Sequence, residues 1–123
     1  MSTVELTKDN FENTVEDNPI VLVDFWAAWC GPCRQFAPVY DTASETNEDI
    51  VFGKVDTDAQ QELAAMAQIT SIPTLMAFRD GIAIFRQAGA LPAPALEDLI
   101  AQIRAVDMDM VREELAKQEA ANK

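Results

Sequence analysis

The segment Phe25-Trp26-Ala27-Ala28-Trp29-Cys30-Gly31-Pro32-Cys33 connects a predicted buried strand to a predicted helix. Residues Ile20 to Trp26 are apolar and rich in β-branched side chains apart from Asp24, a pattern typical of a strand buried on both faces. Pro32 suits the first turn of a helix, where its missing N–H leaves no hydrogen bond unmade. Both cysteines of this segment are therefore predicted to lie at a strand-to-helix junction.

The patterns that follow extend this unit. Pro32 to about Glu48 is predicted to be a helix with a kink at Pro38, and Ile50 to Val55 to be the next strand. A strand, a helix and a strand in this order imply parallel pairing through a right-handed crossover. A further helix is predicted over Gln60 to Ala67.

The rest of the chain adds a hairpin and two more helices. Thr74 to Phe78 and Ile82 to Arg86 are predicted strands, and Asp80-Gly81 between them is a strong signal for an antiparallel hairpin. A short N-terminal helix capped by Thr7 and a final amphipathic helix complete the pattern. The inward-facing residues of these two helices are Phe11, Val15, Leu96, Leu99, Ile100 and Ile103. The sequence therefore predicts an α/β domain with a central mixed sheet and helices on both faces.

Residues 106–123 are predicted to form a helical tail that follows a domain of residues 1–105. Asp107 suits the N-cap position, and Met108, Val111 and Leu115 form a thin apolar stripe. Such a stripe fits a solvated terminal helix, which is the favoured interpretation, or a helix that docks on the domain or on a partner. Both alternatives stay open at this point.

Charge and composition exclude several classes of function. The 123 residues include 9 Lys and Arg against 21 Asp and Glu, and the net charge of −12 has the wrong sign for binding nucleic acid or an anionic membrane. No apolar run approaches the roughly 18 residues of a membrane helix, and the N-terminus lacks the regions of a signal peptide, so a cytoplasmic protein is expected. Histidine is absent, which excludes Cys-His and Ser-His hydrolases.

Cys30 and Cys33 are the only cysteines of the chain and have the C-x-x-C spacing. A structural disulfide that closes so short a loop would stabilise the fold by only about 2 kcal/mol. A tetrahedral metal site needs four ligands, so that two thiols without histidine would hold zinc only in a dimer, and no metal is expected. A C-x-x-C pair beside a β-α-β pattern is instead typical of reversible thiol and disulfide chemistry.

The predicted helix start would activate one of these thiols. Its unpaired N–H groups and the positive end of its dipole favour a thiolate on Cys30 by about 0.3–1 kcal/mol, and by up to about 2 kcal/mol if the sulfur is partly buried. Cys33 lies three residues further on the same helix face, so it can reach Cys30 with little backbone movement.

Asp24 and Lys54 are candidates for proton transfer beside the cysteines. Aspartate is almost never fully buried unless it is paired or functional, and burial would raise its pKa toward neutrality, where it could take the proton of Cys33. A carboxylate at a strand end is the alternative. Lys54, on the neighbouring strand, fits a countercharge to Asp24 and a solvated lysine equally well. Trp26 is predicted to lie in the core and Trp29 on the surface.

The segment Phe25 to Cys33 closely resembles the active-site sequence of the thioredoxin family, and the resemblance runs from about Leu6 to Ala105. The Gly31-Pro32 pair between the cysteines is similar to that of thioredoxins rather than to the pairs of glutaredoxins or disulfide isomerases. The other positions that match the family are Asp24, Pro38, Lys54, Ile72-Pro73-Thr74, Gly81 and Gly89-Ala90. The resemblance implies the thioredoxin fold.

The resemblance also implies roles for individual residues. Cys30 would be the attacking thiol, Cys33 the resolving thiol and Asp24 the proton acceptor, with Lys54 as its partner. Pro73 would be a cis proline that faces the disulfide, beside which the backbone of Ile72 would pair with an extended substrate segment. The residues expected to form an apolar and nearly uncharged face around Cys30 are Trp29, Gly31, Pro32, Ile72, Pro73, Gly89 and Ala90.

By the same resemblance, the chain would be a monomeric reductase of protein disulfides that is itself re-reduced by thioredoxin reductase. NADPH and FAD would belong to that reductase, because this chain has no Gly-x-Gly-x-x-Gly motif. A thioredoxin-fold binding subunit or holdase with incidental redox activity is the alternative. The chain departs from the family at Gln68, where many members have glycine. Gln68 must therefore take a left-handed conformation or end its helix differently.

Overall fold

The computed structural model describes residues 2–122, which form one five-stranded sheet and five helices. The strands are β1 (Thr3–Glu5), β2 (Ile20–Trp26), β3 (Val51–Asp56), β4 (Thr74–Arg79) and β5 (Ile82–Ala88). The helices are α1 (Phe11–Asp17), α2 (Gly31–Thr46), α3 (Gln61–Met66), α4 (Ala93–Ala105) and α5 (Met108–Ala121). None of the helices within residues 2–122 has both the length and the apolar composition needed to cross a bilayer.

The sheet is mixed, as predicted, and has the strand order β1-β3-β2-β4-β5. β2 runs parallel to β3 and antiparallel to β4, so it is central and its last residue, Trp26, leads into the cysteine segment. β4 and β5 form the predicted antiparallel hairpin. At its tip Asp80 and Gly81 have φ values of 53° and 80°, the left-handed conformation that the Asp-Gly pair favours.

Helices cover both faces of the sheet, which confirms the predicted fold class. On one face Leu22 of β2 packs in a cluster with Phe36 of α2 and Leu96 of α4. On the other face Val23 packs in a cluster with Val15 of α1 and with residues of α3. Successive side chains of a strand point to opposite faces, so a strand covered on both sides has a continuous apolar sequence.

The N-terminal part differs from the sequence prediction in two details. Thr7 does not cap α1, because the helix begins at Phe11 after Asn10, whose side-chain oxygen accepts a hydrogen bond from the Thr7 N–H at 2.7 Å. The Thr7 hydroxyl oxygen instead accepts from the N–H of Asp9 at 3.2 Å, within the preceding turn. β1 has no counterpart in the prediction, because three residues are too few for a periodic pattern.

The sequence predicts an unusual backbone conformation at two residues, Pro38 and Gln68. Pro38 lies inside α2, which continues to Thr46, and the kink expected there stays a prediction. Gln68 follows α3 with a φ of 57°, which confirms the first of the two predicted outcomes, a left-handed residue after the helix. This conformation costs an L-residue about 1–2 kcal/mol.

The predicted tail is a helix, α5, whose first turn packs against the rest of the fold. Asp107 is its N-cap, as predicted, and accepts hydrogen bonds from two N–H groups at 3.0 and 3.2 Å. Met108 is only 5% exposed, and Arg112 forms an ion pair with Asp80 of the hairpin at 3.1 Å. Leu115 is 38% exposed. The beginning of α5 therefore docks on the domain, while its later turns extend into solvent.

Candidate active site

Cys30 and Cys33 form a disulfide at the start of α2, with their Cα atoms 5.2 Å apart. Cys30 is the N-cap residue of the helix, and the N–H of Cys33 donates a hydrogen bond to Sγ of Cys30 at 3.2 Å. Gly31 and Pro32 form the first turn between them. The sulfur of Cys30 therefore lies at the positive end of α2, where unpaired N–H groups stabilise negative charge by about 0.3–1 kcal/mol.

Among residues 2–122, Asp24 is the one buried carboxyl group. It is 1% exposed, and neither of its oxygens has a hydrogen-bond partner within residues 2–122. Burial raises the pKa of Asp24 to about 7, against the lowering effect of Lys54, and Asp41 of α2 adds to the rise. Asp24 shares a face of β2 with Leu22, and this face is the one that α2 covers. A group that exchanges protons near neutral pH therefore lies beneath the helix of the cysteines.

Lys54 is brought to the same place by strand pairing. It lies opposite Asp24 in the β2–β3 pair and is half-buried. Its Nζ lies 4.8 Å from the ring centroid of Trp26, so the ammonium group stacks on an aromatic face. Lys54 lowers the pKa of Asp24 through space and forms no hydrogen bond with it, since both Asp24 oxygens lack a partner in the described chain. Trp26 is half-buried, so its predicted core position is only partly correct.

The loop before β4 faces the disulfide. The Ile72–Pro73 peptide bond is cis, as the family resemblance implied. The carbonyl oxygen of Ile72 lies 3.7 Å from Sγ of Cys30, and Ile72 packs against the buried cluster that contains both cysteines. The N–H of Gly89, which has a φ of 102°, donates to the carbonyl oxygen of Pro73 at 2.8 Å. Gly89 and the adjacent Ala90 are both exposed beside this loop.

Trp29 is the exposed aromatic residue next to the disulfide. It is 67% exposed, and its indole N–H donates to a carboxylate oxygen of Asp58 at 3.0 Å. The Asp56 side chain accepts the N–H of Asp58 at 3.0 Å, which fixes the loop after β3. A cleft of about 360 Å³ lies between Trp29 and Ile72. Trp29 thus forms one wall of an apolar cleft and is held in place by a charged neighbour.

Arg34 is a further charged residue beside the cysteines. Its Nη1 donates to the carbonyl oxygen of Ala28 at 2.8 Å, so the side chain folds back over the loop that precedes Cys30. Sequence reasoning missed Arg34 and Asp58 as site residues. The expected face therefore has an exposed guanidinium group and an exposed carboxylate at its border, which the prediction did not include.

Comparison with known proteins agrees with this geometry. The thioredoxin family model matches residues 2–102. The chain belongs to the thioredoxin family. A protein of Streptomyces coelicolor named "Putative thioredoxin 2" is 62% identical over 119 residues, which cover 97% of this chain and 89% of that protein. A thioredoxin of Alicyclobacillus acidocaldarius is 39% identical over 103 residues, or 83% of this chain and 98% of that protein.

Solved structures give the same result. A mutant thioredoxin from Halobacterium salinarum superposes with a TM-score of 0.80 at 33% identity, covering 86% of this chain and 94% of that one. Thioredoxin from Plasmodium falciparum superposes with a TM-score of 0.75 at 37% identity, covering 80% of this chain and 96% of that one. With its C-x-x-C disulfide, this thioredoxin-family protein is a thiol-disulfide oxidoreductase. Within residues 2–122, no group of three or more candidate ligands could hold a metal ion.

Proposed function

We propose that this protein reduces disulfides in client proteins and is returned to its dithiol form by a thioredoxin reductase. The observation that carries the proposal is the placement of the Cys30–Cys33 disulfide at a helix start, on the side of the sheet that holds the buried, unpartnered carboxyl of Asp24. This arrangement supplies both a stabilised thiolate and a proton acceptor, which the two halves of a disulfide exchange require.

In the first half, the Cys30 thiolate attacks one sulfur of the client disulfide. A bond forms between Sγ of Cys30 and that sulfur, the client S–S bond breaks, and the second client sulfur leaves as a thiolate that takes up a proton. The position of Cys30 at the N-cap of α2 supports its assignment as the nucleophile, because helix N–H groups stabilise the attacking charge. Gly31 and Pro32 allow the helix to begin directly after it.

In the second half, Cys33 resolves the mixed disulfide. Its thiol gives a proton to Asp24, its sulfur attacks Sγ of Cys30, and the bond between Cys30 and the client breaks. The departing client thiolate takes up a proton, so the client leaves as a dithiol, reduced by two electrons, and Cys30 and Cys33 are left oxidised as a disulfide. The pKa of about 7 supports Asp24 as the acceptor, and Lys54 supports the charged form that results.

The cis-proline loop and its neighbours are proposed to bind the client. The carbonyl oxygen of Ile72 lies close to Cys30 and can accept a hydrogen bond from an extended client segment. Pro73 presents no N–H toward the sulfurs, and Gly89-Ala90 leave space for the client backbone. Trp29 offers an apolar contact beside the reacting sulfurs.

The regeneration step needs electrons from outside this chain. We assign NADPH and FAD to the reductase, which would reduce the Cys30–Cys33 disulfide by the reverse exchange. A cytoplasmic location fits, because a reducing compartment keeps such a pair ready as a dithiol. Residues 1–105 are proposed as the monomeric catalytic domain and residues 106–123 as an added helical segment.

The test is NADPH-coupled reduction of insulin by a thioredoxin reductase in the presence of this protein. Wild type should turn over, and Cys30→Ser should abolish turnover because no thiolate can attack. Cys33→Ser should instead accumulate the mixed disulfide, which mass spectrometry detects. Turnover that survives in Cys30→Ser would contradict the assignment of the nucleophile.

A binding role is the second candidate, because α5 exposes Met110 (66%) and Leu115 (38%) to solvent. In that case a variant with both Cys30→Ser and Cys33→Ser should retain the biological role in cells. Loss of the role in this variant would favour the reductase.

A further inference from the structure

A polar pocket beside the cis-proline loop is not used by the proposed mechanism. It has a volume of about 440 Å³, and its lining includes Gln68, Thr70, Ser71, Thr74, Arg86 and Gln87. Thr70 and Ser71 also line the cleft beside Trp29. The cleft and the polar pocket therefore adjoin at these two residues, and together they are called the groove.

Arg86 gives this pocket a positive charge. Its Nη2 donates to the carbonyl oxygen of Gln68, just after α3, at 2.6 Å. Arg86 is exposed and forms no ion pair with a carboxylate of residues 2–122, whereas Arg104 and Arg112 each pair with an aspartate. On a chain with a net charge of −12, Arg86 is thus a positively charged side chain held in place by one hydrogen bond. Its other N–H groups can donate to a ligand.

The position of the polar pocket relative to Cys30 determines which client residue would contact it. Ser71 and Thr70 are the first and second residues before Ile72, whose carbonyl oxygen lies 3.7 Å from Sγ of Cys30. An extended client advances about 3.3 Å per residue. A client segment paired along this loop would therefore bring its second or third residue from the reacting cysteine to the pocket.

Resting on the proposed function, we propose that the Arg86 pocket binds an acidic side chain of the client, two or three residues from the client cysteine. The guanidinium group would donate to the carboxylate, and the hydroxyl groups of Thr70 and Ser71 lie within the same pocket lining. The protein would thus select client segments that carry an apolar residue for the Trp29 cleft and a carboxylate for Arg86.

The test uses the pre-reduced protein in a single turnover, so that no reductase takes part. The probes are peptides closed by one disulfide that carry Glu, Gln or Lys two or three residues from a cysteine, and the released peptide thiols are measured over time. Wild type should reduce the Glu peptide about two- to five-fold faster than the Gln peptide, since a partly exposed ion pair has this strength, and the Lys peptide should be slowest. Added salt should shrink the preference.

The variant Arg86→Gln should bring the Glu-to-Gln rate ratio to about one, because the pair can no longer form. The matched control is Lys117→Gln, which changes the net charge equally on α5 and should keep the wild-type ratio. Equal reduction of all three peptides by wild type, or an unchanged ratio in Arg86→Gln, would overturn the pocket assignment alone. Failure of wild type to reduce even the Gln peptide would instead count against the proposed reductase function.

Discussion

Replacement of Asp24 by alanine should remove a pH-dependent loss of stability from this fold. Burial raises the pKa of Asp24 from 3.8 to about 7, so the folded state holds this proton more tightly than the unfolded state does. The stabilisation that this bound proton gives the folded state is complete below pH 3.8. It is lost as the pH rises to about 7, because unfolding then releases the proton. Above that pH both states are ionised and the loss stays constant.

The magnitude follows from the two pKa values. The difference between 3.8 and about 7 is about three units, and at 1.36 kcal/mol per unit it corresponds to about 4 kcal/mol. Wild type should therefore lose about 3–4 kcal/mol between pH 4 and pH 8 relative to Asp24→Ala. At pH 7 the variant should be the more stable protein, although it should also exchange disulfides more slowly.

The assay is urea denaturation of both proteins in the oxidised form at a series of pH values from 4 to 8. Subtraction of the two curves of unfolding free energy against pH cancels the contributions of the other carboxylates. The free energy of unfolding of Asp24→Ala minus that of wild type should rise as the pH goes from 3.8 to about 7. Glu62→Ala removes an exposed carboxylate of α3 and should give a curve parallel to that of wild type. Parallel curves for wild type and Asp24→Ala would refute the reasoning.

Three further changes test single contacts. Lys54→Met should raise the pKa of Asp24 further and move the pH-dependent step upward in the same titration; an unmoved step would show that Lys54 exerts no such influence. Gln68→Gly should stabilise the fold by about 0.5–1 kcal/mol, because relief of the left-handed strain exceeds the extra backbone entropy of glycine, and a loss in urea denaturation would contradict this. Met108→Ala should cost about 2 kcal/mol or more if the first turn of α5 belongs to the packed domain, and no change in urea denaturation would mean that it does not.

The central part of the fold is predictable because its signals are local and strong. Residues 20–26 are apolar on both alternating faces apart from Asp24, a pattern typical of a strand covered by helices on both sides. The hairpin is fixed by Asp80-Gly81, whose backbone conformation few other pairs adopt. The cysteine pair is then located by the strand that ends just before it.

The surroundings of the cysteines are less predictable, because they depend on contacts between residues far apart in the chain. Asp58 bonds to Trp29 across 29 positions, and nothing in the local pattern distinguishes Asp58 from the other exposed carboxylates. Arg86 reaches Gln68 because β5 lies beside the end of α3, which only the assembled sheet defines. The docking of α5 likewise brings Met108 of the predicted stripe into the core and adds an ion pair between Arg112 and Asp80, which the stripe did not indicate.

The burial of Asp24 fits the proton transfer proposed for it, because its carboxyl group gains no hydrogen bond that would offset the cost of desolvation. Its oxygens have neither a hydrogen bond nor an ion pair within the described chain, and a buried polar group without partners reduces stability. The same desolvation brings its pKa to about 7, so that both the protonated and the unprotonated form are present near neutral pH, as the proposed transfer of the Cys33 proton requires. Lys54 lowers the pKa of Asp24 without bonding to it, so the rise is limited while both carboxylate oxygens stay without a hydrogen-bond partner in the described chain. A hydrogen bond to Asp24 would stabilise the fold and lower the pKa of the carboxyl group. The carboxylate would then be a weaker base, and the proposed resolving step should be slower.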